Sequence, residues 1–144
     1  SPLVRTTSAF SNAPHRAVSG GTLYICGTGE CNKLGVGDTK DREVPVPVES
    51  LRGEPIVQVS CGKYHTAALT ASGDVFSWGY ESYGQLGLGN KRSKAPVPQK
   101  VEALSGINVK ALSCGLYHTL ALTEEGEVWS VGYGGSFLSG AGAL

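Results

Sequence analysis

The sequence predicts an all-β protein assembled from copies of one structural unit, and two observations carry that expectation. Residues 60–79 read SCGKYHTAALTASGDVFSWG and residues 113–132 read SCGLYHTLALTEEGEVWSVG, so one segment returns after 53 residues. Within each copy the apolar positions follow the two-residue period of a strand, and no long stretch carries the period of a helix. Self-similarity at a long period marks an array, in which each copy is a supersecondary unit that buries its apolar face on the next.

The chain opens with residues 1–19, a Ser/Thr-rich segment that holds Arg5, His15 and Arg16, with no acidic residue before Glu30. It is expected to be an extended or disordered lead-in. Its bias is that of a mitochondrial or chloroplast presequence, or of the region just past its cleavage. The mitochondrion is therefore the compartment expected first, with nucleus or cytoplasm as alternatives. Residues 20–59 form a partial copy: GTLYICG at 21–27 with KLGVGD at 33–38 matches GDVFSWG at 73–79 with QLGLGN at 85–90, an offset of 52 residues.

Residues 60–112 form the full copy. Alternation over 65–70 and the β-branched and aromatic run at 75–79 read as a hairpin, whose turn at 71–74 needs Gly73 for a positive φ. The run IVQVS at 56–60 reads as a further strand before it, and Pro45/Pro47 recur as Pro96/Pro98 ahead of the next copy. Residues 113–144 form a truncated copy with its turn at Gly126 and a preceding strand at 109–113. Its end, GAL at 142–144, aligns with GQL at 84–86 after five extra residues. Repeated four-stranded units with Gly-rich corners favour a β-propeller, which closes with four to eight blades. About two and a half copies cannot close a ring, so the chain is expected to be a partial β-propeller, completed by blades of a longer parent chain or of another subunit.

The segment GDVFSWGYESYGQLGLG at 73–89, preceded by CGKYHTAAL at 61–69, closely resembles the repeat of the regulator of chromosome condensation family. Units of about fifty residues form the propeller blades of that family, usually seven to a ring. The resemblance spans residues 20–144. It implies two competing functions. The founding member is a guanine nucleotide exchange factor for a small Ras-like GTPase and uses a protruding β-wedge, which is not recognisable here. Other relatives are non-catalytic interaction platforms in ubiquitin ligases, ciliary regulators, and organellar assembly or RNA-processing factors. One is a plant ultraviolet photoreceptor that relies on a tryptophan cluster, whereas this chain has only Trp78 and Trp129. The expected function is a non-enzymatic module that docks a protein partner, such as a small GTPase or a large organellar or RNA-processing assembly, with exchange activity as the alternative.

Several chemistries are excluded by pattern. Lys plus Arg equals Asp plus Glu at 12 each, so nothing in the charge favours nucleic acid, and no apolar run is long enough to span a membrane. Cys61/His65 and Cys114/His118 would supply four zinc ligands, but equivalent positions in successive units are related by rotation and do not converge. Repetition of the same His and hydroxyl residues likewise argues against a catalytic triad. The run GQLGLG at 84–89 opens no helix and so lacks a dinucleotide loop's helix N-terminus. Glu124, Glu125 and Glu127 are expected at a solvated hairpin tip. No metal, cofactor or catalytic residue is expected. Loops that vary within a fixed frame are the docking candidates: Tyr80, Glu81 and Tyr83; the basic loop of Lys91, Arg92 and Lys94; and Tyr133 with Phe137.

Overall fold

The structure, a computed structural model, describes residues 21–89 and 94–133 together with the backbone of residues 3–6. Among these residues ten strands form three antiparallel sheets. The first holds β1 (Leu3–Thr6), β2 (Leu23–Gly27) and β3 (Arg42–Pro47) in that order. The second holds β4 (Ile56–Cys61), β5 (His65–Thr70), β6 (Val75–Tyr80) and β7 (Lys94–Lys100). The third holds β8 (Val109–Cys114), β9 (His118–Thr123) and β10 (Val128–Gly132). The 60–112 sequence unit starts near the end of β4 and stops inside β8. Sequence repeat and sheet are thus out of phase by most of one strand.

Local chemistry explains the hairpins. Gly73, at φ 90°, donates its amide to the Thr70 carbonyl at 3.0 Å, and the Thr70 hydroxyl accepts the Asp74 amide at 3.1 Å. The third sheet repeats the device, with Gly126 at φ 87° and the Thr123 hydroxyl accepting the Glu127 amide at 3.1 Å. A threonine three residues before a left-handed glycine closes both turns.

The second sheet is covered on both faces. Ala68, Trp78 and Ala95 pack with Leu23 and Ile25 of the first sheet and with Leu34 and Leu51 of its loops. Ala67, Leu69 and Val75 pack with Val109, Leu112 and Ala121 of the third. Alternation in β5 therefore sorts residues between two cores, and all six residues of the strand are buried. In β9 the same motif alternates between buried positions and exposed or half-buried ones. Val75 is 2% exposed whereas its repeat partner Val128 is 64% exposed, so the sequence is the same and the covering differs. Burying a valine side chain contributes about 1.5–3 kcal/mol, which makes the stacking of sheets the main stabilising contact of the array.

Where β4 and β8 approach, side chains replace ladder hydrogen bonds. The Gln58 amide donates to the Leu112 carbonyl at 2.8 Å and accepts the Leu112 amide at 2.9 Å, while Ser60 Oγ accepts the Cys114 amide at 2.9 Å. At the far end of β6, Gly79 has φ 111°, and a Cβ there would lie 2.5 Å from the Tyr64 carbonyl oxygen. That close approach lets the Tyr80 amide donate to the Tyr64 carbonyl at 2.9 Å. The glycine thereby sets two tyrosines side by side.

Candidate functional site

The same pairing recurs in the third sheet, where the Tyr133 amide donates to the Tyr117 carbonyl at 2.8 Å. Tyr83, in the loop after β6, touches both Tyr117 and Tyr133. Five rings are consequently in contact in the order Tyr80, Tyr64, Tyr117, Tyr83 and Tyr133. Their centroid separations are 6.1, 5.7, 5.3 and 5.0 Å. Tilted and edge-to-face pairs at these distances are favourable arrangements for aromatic rings. The row runs across the second and third sheets at one end of their strands, and Tyr83 and Tyr133 are 48% and 43% exposed.

Buried polar side chains hold Tyr83 in place. Gln85 is fully buried, and its Oε1 accepts the amides of Ser82 at 3.2 Å and Tyr83 at 2.9 Å. Glu81 Oε2 accepts the Leu86 amide at 3.2 Å, and burial pushes the Glu81 carboxyl above the ordinary range. Glu81, a docking candidate on sequence, is therefore turned inward as a brace of the loop. The matching loop after β2 is the 3-10 turn Glu30–Asn32, where Asn32 at φ 60° stands in for Gly84 at φ 79°. Cys31 is also left-handed, at φ 61°, a conformation that a non-glycine residue holds only when its surroundings impose it. Glu30 and Cys31 face the second sheet's Tyr64, Tyr80, Ser82 and Tyr83 and the third sheet's Tyr117 across an open cleft of about 390 Å³.

The repeated His-Thr motif serves another purpose. Thr66 Oγ1 and Trp78 Nε1 both donate to the Lys33 carbonyl, at 2.8 and 3.0 Å, which ties the second sheet to the first sheet's loop. One unit later Thr119 Oγ1 donates to the Gln85 carbonyl at 2.9 Å. Its single proton is thereby engaged, so the contact of 2.8 Å with His65 must have His65 Nε2 as donor. His65 is neutral, with its Nδ1 unprotonated and unpartnered. Burial, with His118 nearby, lowers its pKa to about 4. Burial likewise raises the Cys61 thiol to about 11, well away from a reactive thiolate. Among the described residues no group of three or more His, Cys, Asp or Glu side chains is placed to hold a metal.

Of the candidates named from sequence, Tyr80, Tyr83 and Tyr133 come together in the row. Lys94 is exposed at the start of β7, opposite Tyr80 in register. Lys91, Arg92 and Phe137 lie outside the described residues. Sequence reasoning missed Tyr64, Tyr117 and Glu30. The signal was the spacing itself, since Tyr64 and Tyr80 recur together as Tyr117 and Tyr133.

Three stacked antiparallel sheets, one of them four-stranded, with inner strands linked by side chains, define a partial β-propeller. Residues 20–69 and 72–122 match the family model for the regulator of chromosome condensation (RCC1) repeat, and a second model of that description matches residues 56–85 and 109–137. The chain belongs to the RCC1 repeat family. It is 38% identical over 132 residues to the ultraviolet-B receptor UVR8 of Arabidopsis thaliana, covering 92% of this chain and 30% of the receptor. Among solved structures it is similar to human WBSCR16, with TM-score 0.74 and 28% identity over 85% of this chain and 31% of that one. It also resembles Prp20p of Saccharomyces cerevisiae, with TM-score 0.71 and 21% identity over 79% of this chain and 30% of that one, a likeness of fold alone. The chain spans less than a third of the length of each.

Proposed function

We propose that this chain supplies a docking surface for a protein partner, with the tyrosine row as its contact region. The observation that carries this reading is the division of labour among the side chains at the sheet junctions and those at the strand ends. His65, Thr66, Trp78 and Thr119 are engaged in joining sheet to sheet, whereas five tyrosines gather at one strand end beside an open cleft. Tyrosine offers large, rigid contact area with a polar tip and few rotamers to freeze, which is why it is enriched among interface anchors. Membership of the RCC1 repeat family, whose propellers serve as interaction or regulatory modules, supports the same reading.

Exchange activity on a small GTPase is the competing reading, and a kinetic assay separates the two. The intact protein, added at one-hundredth of the GTPase concentration, is expected to leave the release rate of fluorescent GDP within about twofold of the intrinsic rate. Acceleration of about tenfold or more at that ratio corresponds to at least 1.4 kcal/mol of barrier lowering with turnover, and it would replace docking by catalysis.

A further inference from the structure

We infer that the cleft bordered by Glu30 and the tyrosines receives a cationic side chain, a guanidinium above all, from the docked protein. This deepens the docking reading and rests on it. Among the described residues the lining offers the rings of Tyr64, Tyr80, Tyr83 and Tyr117, the acidic Glu30 and no cationic side chain, while Lys63 borders it within electrostatic reach of Tyr64, Tyr117 and Glu30. Aromatic faces carry negative quadrupolar charge, so several rings around one cleft attract a cation, and the carboxylate adds to the attraction. The fold already makes one such contact, with Lys63 Nζ 5.0 Å from the centroid of Tyr64. A cleft of about 390 Å³ suits one long side chain with its apolar stem along the rings and its charged head beside the carboxylate. Guanidinium fits better than ammonium because it is planar, stacks on rings and sheds water more readily. A phosphate or nucleic-acid backbone is disfavoured by the carboxylate in the lining.

The test uses the full chain labelled with 3-fluorotyrosine and read by fluorine NMR, with single Tyr→Phe variants assigning the resonances. The probes are the blocked peptide Gly-Arg-Gly and its citrulline counterpart, which has nearly the same shape without the charge. The expected result is saturable shifts at Tyr64, Tyr83 and Tyr117 with the arginine peptide and binding at least about fivefold weaker with citrulline, within the range of desolvated cation–π contacts. Glu30→Gln is expected to weaken the arginine peptide about two- to fivefold. Equal binding of both peptides, no saturable shift with either, or stronger shifts with adenosine monophosphate would each overturn the assignment. None of these results bears on docking itself, which stands or falls on partner affinity in the tyrosine variants.

Discussion

Replacing Trp78 by alanine is expected to lower the unfolding free energy by about 3–5 kcal/mol in urea denaturation, the largest loss of any single substitution considered. Trp78 is fully buried between the first and second sheets, and Gly35, at φ 71°, leaves room for the indole: a Cβ there would lie 2.6 Å from Nε1. Loss of the ring opens a cavity in the middle of the core. The polar part of the effect is small, because the Lys33 carbonyl keeps its bond from Thr66 Oγ1. Trp129 provides the control. It is 37% exposed, and alanine there is expected to cost under about 1 kcal/mol. Equal losses at the two tryptophans would contradict the assignment of the second sheet as the one covered on both faces.

The second large effect is acid sensitivity through His65. Its folded pKa, about 4, lies below the ordinary 6.5, so below pH 6.5 the unfolded chain binds more protons than the folded one. The stability contributed by neutral His65 is fully present above pH 6.5 and is lost as pH falls toward 4, by about 3 kcal/mol in all. His65→Gln keeps a neutral donor in reach of Thr119 at every pH. The unfolding free energy of the wild type is therefore expected to fall about 3 kcal/mol further than that of His65→Gln between pH 6.5 and 4. Parallel curves for the two proteins would show that His65 titrates as an ordinary exposed histidine.

Much of the architecture was legible because it is encoded locally. The strands β5, β6, β9 and β10 follow from alternation, and their turns from threonine and a left-handed glycine, all of which repeat in the sequence. The family resemblance pointed to the same stacked sheets. Other features depend on what covers a face, and sequence patterns do not state that. His65 and His118 have the same neighbours in sequence, yet one is buried against the next sheet and the other is exposed. Glu81 looked like a surface charge beside two tyrosines, but the tight loop turns it inward to meet the Leu86 amide. The tyrosine row was half visible. Tyr80, Tyr83 and Tyr133 stood out as loop aromatics, while Tyr64 and Tyr117 were absorbed into a motif read as framework. They are both at once: the backbone of each anchors a strand end and the ring extends the row.

The central claim is that His65 and the repeated Thr66 and Thr119 hold the sheets together while the tyrosine row meets the partner. Its most direct test is the dissociation constant of the purified protein partner, isolated with the intact protein, for Tyr83→Ala beside His65→Gln at a temperature where both variants are folded. The row predicts that Tyr83→Ala, which removes a half-exposed ring and its two ring contacts, weakens binding at least about tenfold while lowering stability by about 1–3 kcal/mol, and that His65→Gln binds like the wild type. Wild-type affinity in Tyr83→Ala, or lost affinity in a folded His65→Gln, would contradict it.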